Sequence, residues 1–500
     1  MAITNANFNN ADFVKASGKR IITCTSDKIG TTGVFNYRFL LELTINGTVY
    51  SYTFRPNNEG YGFINITKIL QSHIKDIGDV QQTLTVPSRA TSSDTPQFKQ
   101  NIHAMPYKAS ATTQALTSVN NNTFSILARL HDFYGDTATA VPTKRTTGIQ
   151  QSNIYVICGY DKETDLINVD YEKYYLSSNV SEFLNNNFNF ERNALGGSNY
   201  TIYCSYYDWG TLSMFRPTFF NPQIADYIIV RYYNDSGSLL GTLSMGGINT
   251  TSAVTTGLIT TIGVYPQNLN KLSSGNLPSS YTSNLAYYEV YASNTYAGVG
   301  SVLSQHYRFV LTERFKQNNA FQQGIEFCRK YNRQRFAYIN NFGVWEYITF
   351  TELRRDNITS SPTNIKGSVY NYDGNFEDIT SLNKYYREIG YIPDVAHRGE
   401  KTVATNFNET FTVNTGFLSD GDIQKVKEMF LSNKISYIND DGSARAVILE
   451  NSTINAVNSI VKATPETTPP RLFDSSKQYE QVSYQLTFRY SVPTNNNIVF

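Results

Sequence analysis

Five hundred residues can bury several hydrophobic cores, and a formal charge of +1 leaves no surplus of Lys and Arg for gripping phosphates. That balance speaks against a dedicated nucleic-acid binder, and 37 Tyr with 30 Phe speak against a disordered chain. The same aromatics, set among many Asn, Ser and Thr, suit pleated strands joined by tight turns. The expected class is mainly β and multi-domain, with β-sandwich or immunoglobulin-like domains and a few short helices.

Cys24, Cys158, Cys204 and Cys328 lie far apart and form no CxxC pair, so buried thiols are expected rather than disulfides or a zinc site. The first twenty residues lack the apolar core of a signal peptide, and no stretch approaches the roughly 18 apolar residues that span a bilayer. A soluble chain made in the cytoplasm, without a membrane partner, is the expectation.

In chain order, residues 34–56 give the first hairpin. Tyr37, Phe39, Leu41, Leu43 and Ile45 alternate with more polar neighbours, Asn46-Gly47 supplies a type I′ turn, and Tyr50, Tyr52 and Phe54 resume the alternation. Ile66, Ile69, Leu70 and Ile74 then form a short helical stripe, which closes an N-terminal β-hairpin domain over residues 1–84. Residues 85–150 are rich in Ser and Thr and read as a long loop or arm. Residues 151–224 read as an irregular β region that could complete the first domain. Short strands punctuated by Gly, Asn and Ser predict a β-sandwich over 225–315.

Residues 316–500 are expected to form a C-terminal β domain. Its first hairpin is RFAYINNFGVWEYITF, turning at Asn340-Asn341-Phe342-Gly343. A short helix is predicted near 419–432, with Ser419 as N-cap and Ile423, Val426 and Phe430 on one apolar face. A second hairpin turns at Asp440-Asp441-Gly442, and an unbroken alternation over 479–492 forms the closing strand. Trp345, Phe342, Tyr347, Tyr484 and Phe488 are the candidate core or interface residues. Trp345 is expected to pack against the closing strand, while the Asn340-Asn341 tip lies outside. On that reading Trp345→Ala costs about 3–5 kcal/mol and Asn341→Asp barely alters stability.

Signals for chemistry are sparse. His73, His103, His131, His306 and His397 stand apart from other ligands at metal spacing, and Asn371-Tyr372-Asp373-Gly374 misplaces the glycine of a calcium loop. Carboxylates such as Asp161, Glu163, Asp165, Glu377 and Asp378 offer only the pairs that any long chain offers. No nucleotide fingerprint or nucleophile elbow occurs, so no cofactor, metal or enzyme activity is expected. Arg329, Lys330, Arg333 and Arg335 form a candidate basic patch that could face DNA in a channel or make salt bridges between subunits.

The order of C-terminal elements carries a resemblance. The turn from Asn340 to Trp345-Glu346, then Thr412-Val413-Asn414-Thr415-Gly416-Phe417-Leu418, the short helix, the hairpin and Tyr484-Gln485-Leu486-Thr487-Phe488 resemble structural proteins of tailed bacteriophages of Bacteroidetes, of the crAss-like type. The likeness covers residues 300–500, with a looser echo in FRPNNEGYGFINITKILQSHI. It implies a virion protein made in the host bacterial cytoplasm. Its role would be that of a subunit of a tail or head-to-tail connector ring. Its partners would be further copies of itself and other tail, connector or portal proteins. The alternative is a tail fibre or adsorption protein that binds host surface glycans, with Tyr, Trp209 or Trp345 stacking on sugars.

Overall fold

The structure is a computed structural model that describes, with short interruptions, residues 3–74, 123–160, 172–215, 225–246, 259–313, 332–366, 400–450 and 479–491. His103 and the strands at 370–372, 391–393 and 457–461 are also described. The chain is mainly β, with several separate sheets and few short helices. It divides into two compact units, the first comprising 1–330, 334–349 and 418–444, the second 331–333, 350–417 and 445–500. No described helix is long and apolar enough to cross a membrane.

The first unit holds two cores. One lies beneath a five-stranded sheet ordered Phe13–Lys15, Thr143–Ile157, Thr123–Gly135, Phe35–Ile45, Thr48–Phe54. The expected hairpin is present, with Leu43 opposite Tyr50 and Phe39 opposite Phe54, and Phe39, Leu41, Leu43 and Ile45 are buried. A three-stranded sheet of Ile3–Asn7, Ile21–Ser26 and Gly62–Asn65 and the helix Thr67–His73 supply Ile22, Cys24 and Leu70 to the same core.

The expected loop over 85–150 needs correcting in its last third. Thr123–Gly135 and Thr143–Ile157 are long paired strands in the middle of that sheet. Phe124, Ile126, Ala128 and Leu130 are buried in strict alternation. The intervening Ser, Arg, His and Thr gave this stretch its loop-like composition. The rest of the segment, His103 apart, lies outside the described residues.

The second core lies under a six-stranded sheet ordered Leu239–Met245, Tyr227–Tyr233, Tyr287–Ser293, His306–Glu313, Ser198–Ser205, Phe190–Arg192. Its strands come from both sides of residue 225, so the expected sandwich boundary runs through the sheet. Ser198–Ser205 and His306–Glu313 pair in parallel, a union of distant segments that hairpin signals do not announce.

Part of the region expected to form the C-terminal domain belongs to this first unit. Trp345 and Tyr347 join the second core, beside Leu212, Ile262 and Tyr265. The aromatic partners of Trp345 include His103, edge-on at 4.7 Å, and its carbonyl accepts a hydrogen bond from Asn185 Nδ2. The closing-strand residues Tyr484, Leu486 and Phe488 are buried in the second unit, so the expected Trp345 pairing is replaced by these contacts.

The Asn340-Asn341 tip also needs correcting, because Asn340 and Asn341 are buried. Asn340 Oδ1 accepts from the backbone amides of Phe342 and Val344, and its Nδ2 donates to Leu184 O at 3.0 Å. Asn341 O accepts from the Tyr160 amide at 3.2 Å. The side chain that looked like a solvent tip is the internal brace of a buried turn. The expected ranking therefore changes. Trp345→Ala still costs about 3–5 kcal/mol. Asn340→Ala, which leaves several buried groups unsatisfied, should cost at least about 2 kcal/mol in urea unfolding. A loss below 0.5 kcal/mol for the Asn340 variant would show that the turn is not braced this way.

The helix Asp420–Leu431 falls where the sequence placed it. Its buried face carries Val426 and Met429 with Lys425 and Glu428, and Ile423 and Phe430 are half-buried. Ser419 lies outside the described residues.

In the second unit, Ala444–Leu449, Gln485–Tyr490, Glu400–Asn414 and Arg354–Lys366 are neighbours in that order. Leu486, Phe488, Phe411 and Val413 are buried, and Phe411 stacks on Phe488 at 5.5 Å. Arg354–Lys366 and Glu400–Asn414 pair along their whole length, well beyond the reach of the closing strand at Thr410.

Candidate functional site

Two features of the first unit gather chemistry-bearing side chains, one closed and one open. The closed one centres on Arg335. This residue sits at the start of Gln334–Ile339, a strand buried at every position. Its guanidinium lies over the contacting rings of Tyr265 and Tyr347, at 4.7 and 5.0 Å. Arg335 Nη2 donates to Trp209 O at 2.8 Å, Nη1 donates to Thr349 Oγ1 at 2.9 Å, and Asp208 Oδ2 stands 3.3 Å from Nη1. The carbonyl and hydroxyl take the short bonds and the carboxylate balances the charge.

Around this pair the polar groups satisfy one another. Tyr347 OH lies 2.9 Å from both His103 Nδ1 and Thr211 Oγ1. Asn268 Nδ2 donates to His103 O, while its Oδ1 accepts from the Gly210 amide. Trp209 Nε1 donates to Asp440 O, and the turn beneath it carries Gly442, where a Cβ would come within 2.8 Å of the indole. The acidic turn predicted at 440–442 is thus a seat for Trp209.

Burial, reinforced by the charge of Arg335, pushes the His103 imidazole down to about 3. The unfolded chain takes up a proton near the ordinary value of about 6.5, which the folded chain refuses until about pH 3. Stability should therefore fall as pH drops through that window, by about 1.4 kcal/mol per unit from this group. Equilibrium unfolding of His103→Gln beside the parent between pH 7 and 4 checks this. The variant should show the shallower slope, and equal slopes would mean that His103 is not held neutral.

The open feature is the outer face of the six-stranded sheet. Register sets Leu239, Tyr233, Tyr287, Val310 and Tyr203 side by side across five strands, a row of about 19 Å. Leu239 and Tyr203, at the two ends of the row, are 55% and 57% exposed. Tyr233 stacks on Tyr287 at 4.9 Å, and the Arg308 guanidinium lies 4.8 Å over the Tyr287 ring. The Tyr287 ring is thus engaged from both neighbouring strands.

The next row places Arg231, Glu289 and Arg308 together. Glu289 accepts from Arg308 Nη2 at 2.9 Å and lies 3.1 Å from His306 Nδ1. Burial pushes its carboxyl up, but the hydrogen bonds and charges of His306 and Arg308 outweigh that and hold it below the ordinary value. None of these pairings follows from sequence spacing; register alone creates them.

Of the residues nominated from sequence, Trp345, Phe342 and Tyr347 are buried in the first unit, and Tyr484 and Phe488 in the second. The basic patch is not assembled as expected. Arg335 is an interior ion-pair member, Arg333 is half-buried, and Arg329 and Lys330 lie outside the described residues. The carboxylates at 161, 163, 165, 377 and 378, with Cys328 and His397, also lie outside them. Cys24, Cys158 and Cys204 are buried and in no disulfide. Trp209 and Trp345 are both buried, so neither offers a ring face to a sugar. Among the described residues no three His, Cys, Asp or Glu gather as metal ligands. Comparison with protein-family models and with curated proteins finds no match.

Proposed function

We propose that this chain is an architectural protein of a bacteriophage virion, a subunit of a tail or connector ring that assembles through β-rich, tyrosine-rich contacts. The row from Leu239 to Tyr203 carries the reading. It is a stripe of tyrosine and aliphatic side chains on a sheet, half-buried in the middle and exposed at both ends, and flanked on the same face by the row of Arg231, Glu289 and Arg308. Tyrosine gives large contact area with a hydrogen-bonding tip at small entropic cost, which is why it is enriched at protein interfaces. The Tyr287 ring is engaged by Tyr233 and Arg308, and the row mixes rings with Leu239 and Val310, which suits another protein surface better than a flat sugar or base. The likeness of residues 300–500 to phage structural proteins supports the same role. A ring follows when such a contact is head-to-tail and its rotation closes.

Tyr203→Glu tests the reading. The side chain is more than half exposed, so the melting temperature should move by less than about 2 °C. Assembly, followed by light scattering of the chain alone and with the other proteins of its particle, should be lost. A Tyr203→Glu chain that still joins a particle as well as the parent would remove this face from the interface.

A further inference from the structure

Among the described residues the strand Thr48–Phe54 ends the five-stranded sheet and pairs only with Phe35–Ile45. Edge strands are usually blunted by a charge, a proline, a bulge or a covering loop. Two other edges here are protected in this way. Asn276 Nδ2 donates to Thr242 O on Leu239–Met245, and Arg354–Lys366 carries Arg355, Pro362 and Lys366. TVYSYTF has no charge, proline or glycine, and its register with Phe35–Ile45 runs without a shift. Among the described residues nothing hydrogen-bonds to its outer side.

The two-residue loop makes Ile45 and Thr48 a hydrogen-bonded pair. Antiparallel alternation then turns the amides and carbonyls of Val49, Ser51 and Thr53 outward. Val49 is 56% exposed, and Ser51 and Thr53 are exposed beside it. On the core side Tyr50, Tyr52 and Phe54 pack on the core but stay partly exposed, with the His73 ring 4.7 Å from Tyr50.

We propose that a second copy of this chain docks here, strand against strand, about a two-fold axis at Ser51. A row of alternating N–H and C=O groups is matched in spacing only by another extended backbone. This stretch is also complementary to itself. In the antiparallel pairing Val49 meets Thr53, Ser51 meets Ser51 and Thr53 meets Val49, which gives about six backbone hydrogen bonds. Tyr50 then meets Tyr52 of the second copy in the closer, non-hydrogen-bonded positions, an aromatic cross-strand pair between partly exposed rings. No like charges face one another. The contact is isologous and joins two sheets into one. It does not depend on the ring reading, which uses a different face.

Cysteine cross-linking reads the register directly. Hydrogen-bonded antiparallel partners stand about 5.5 Å apart at Cα, within disulfide range. Ser51→Cys should therefore give a covalent dimer under mild oxidation. Val49→Cys, about 13 Å from its own counterpart, should give no more than the parent chain does. Val49→Lys/Thr53→Lys should be monomeric at tens of micromolar, whereas Val49→Lys/Thr53→Glu, which sets opposite charges face to face, should dimerise; circular dichroism checks that each is folded. A parent chain that stays monomeric with no Ser51→Cys cross-link overturns the proposal. So does cross-linking as strong at Val49→Cys, or cross-linking of Ser51→Cys only to a different protein of the particle. Tyr203→Glu should leave the Ser51→Cys cross-link intact, so failure of the ring reading and failure of this one are separable.

Discussion

Gly343→Ala is expected to destabilise the first unit by more than about 4 kcal/mol, a large part of the roughly 5–15 that holds a domain together. Two effects add. Gly343 has φ +76°, which costs a residue with a Cβ about 1–2 kcal/mol. The larger effect is contact. A Cβ at this position would lie 1.7 Å from Cys158 O and 2.7 Å from Cys158 Cβ. Neither is the end of a flexible side chain, so the backbone of one segment must move. A second tight approach lies beside it, with Gly159 set against Asn341 O. Gly237→Ala is the control. It has the same φ with nothing nearer than Tyr287 OH at 3.8 Å, so only the conformational cost of about 1–2 kcal/mol should appear. Similar losses for the two variants in denaturant titration would mean that the turn from Asn340 to Gly343 does not pack on the 158–160 segment.

Asp208→Ala should cost about 3–5 kcal/mol, because it leaves the guanidinium of Arg335 buried without its counter-charge. Side-chain exposures of 7% for Arg335 and 2% for Asp208 leave no room for water to take over. Asp208 Oδ2 also accepts the Ser205 amide, so that turn loosens as well. Removing both charges should be milder than removing one. Asp208→Ala/Arg335→Met is expected to recover part of the loss, since a thioether chain can lie against Tyr265 and Tyr347 without needing a carboxylate. Urea unfolding of the parent, both single variants and the double variant closes the cycle. A double variant worse than Asp208→Ala would show that the hydrogen bonds of Arg335 to Trp209 O and Thr349 matter more than its charge.

What the sequence made legible was local. The hairpin Phe35–Ile45/Thr48–Phe54 could be read because its turn and its alternation agree within about twenty residues. The helix Asp420–Leu431 could be read from its periodicity, though its buried face also takes Lys425 and Glu428. The hairpin at 123–157 was hidden, since polar residues such as the exposed Arg129 and the buried His131 lie close beside Phe124, Ile126, Ala128 and Leu130 and dilute their alternation. Burial of polar residues was hidden more deeply. Asn340 and Arg335 looked like surface residues because a buried amide or guanidinium is recognised only by its partners. Arg335 and Asp208 are 127 positions apart, and Asn340 and Leu184 are 156. The tyrosine row exists only once five strands are in register, one pair of them parallel. Composition announced that tyrosines would matter, and sheet topology decides which of them are exposed together.

The architectural reading meets its most direct test in a reconstruction of the intact phage particle. Several copies of the chain should surround the tail or connector axis in a closed ring, with the row from Leu239 to Tyr203 covered at a contact between proteins. A particle that lacks the chain, or carries it singly with that row facing solvent, would contradict the account.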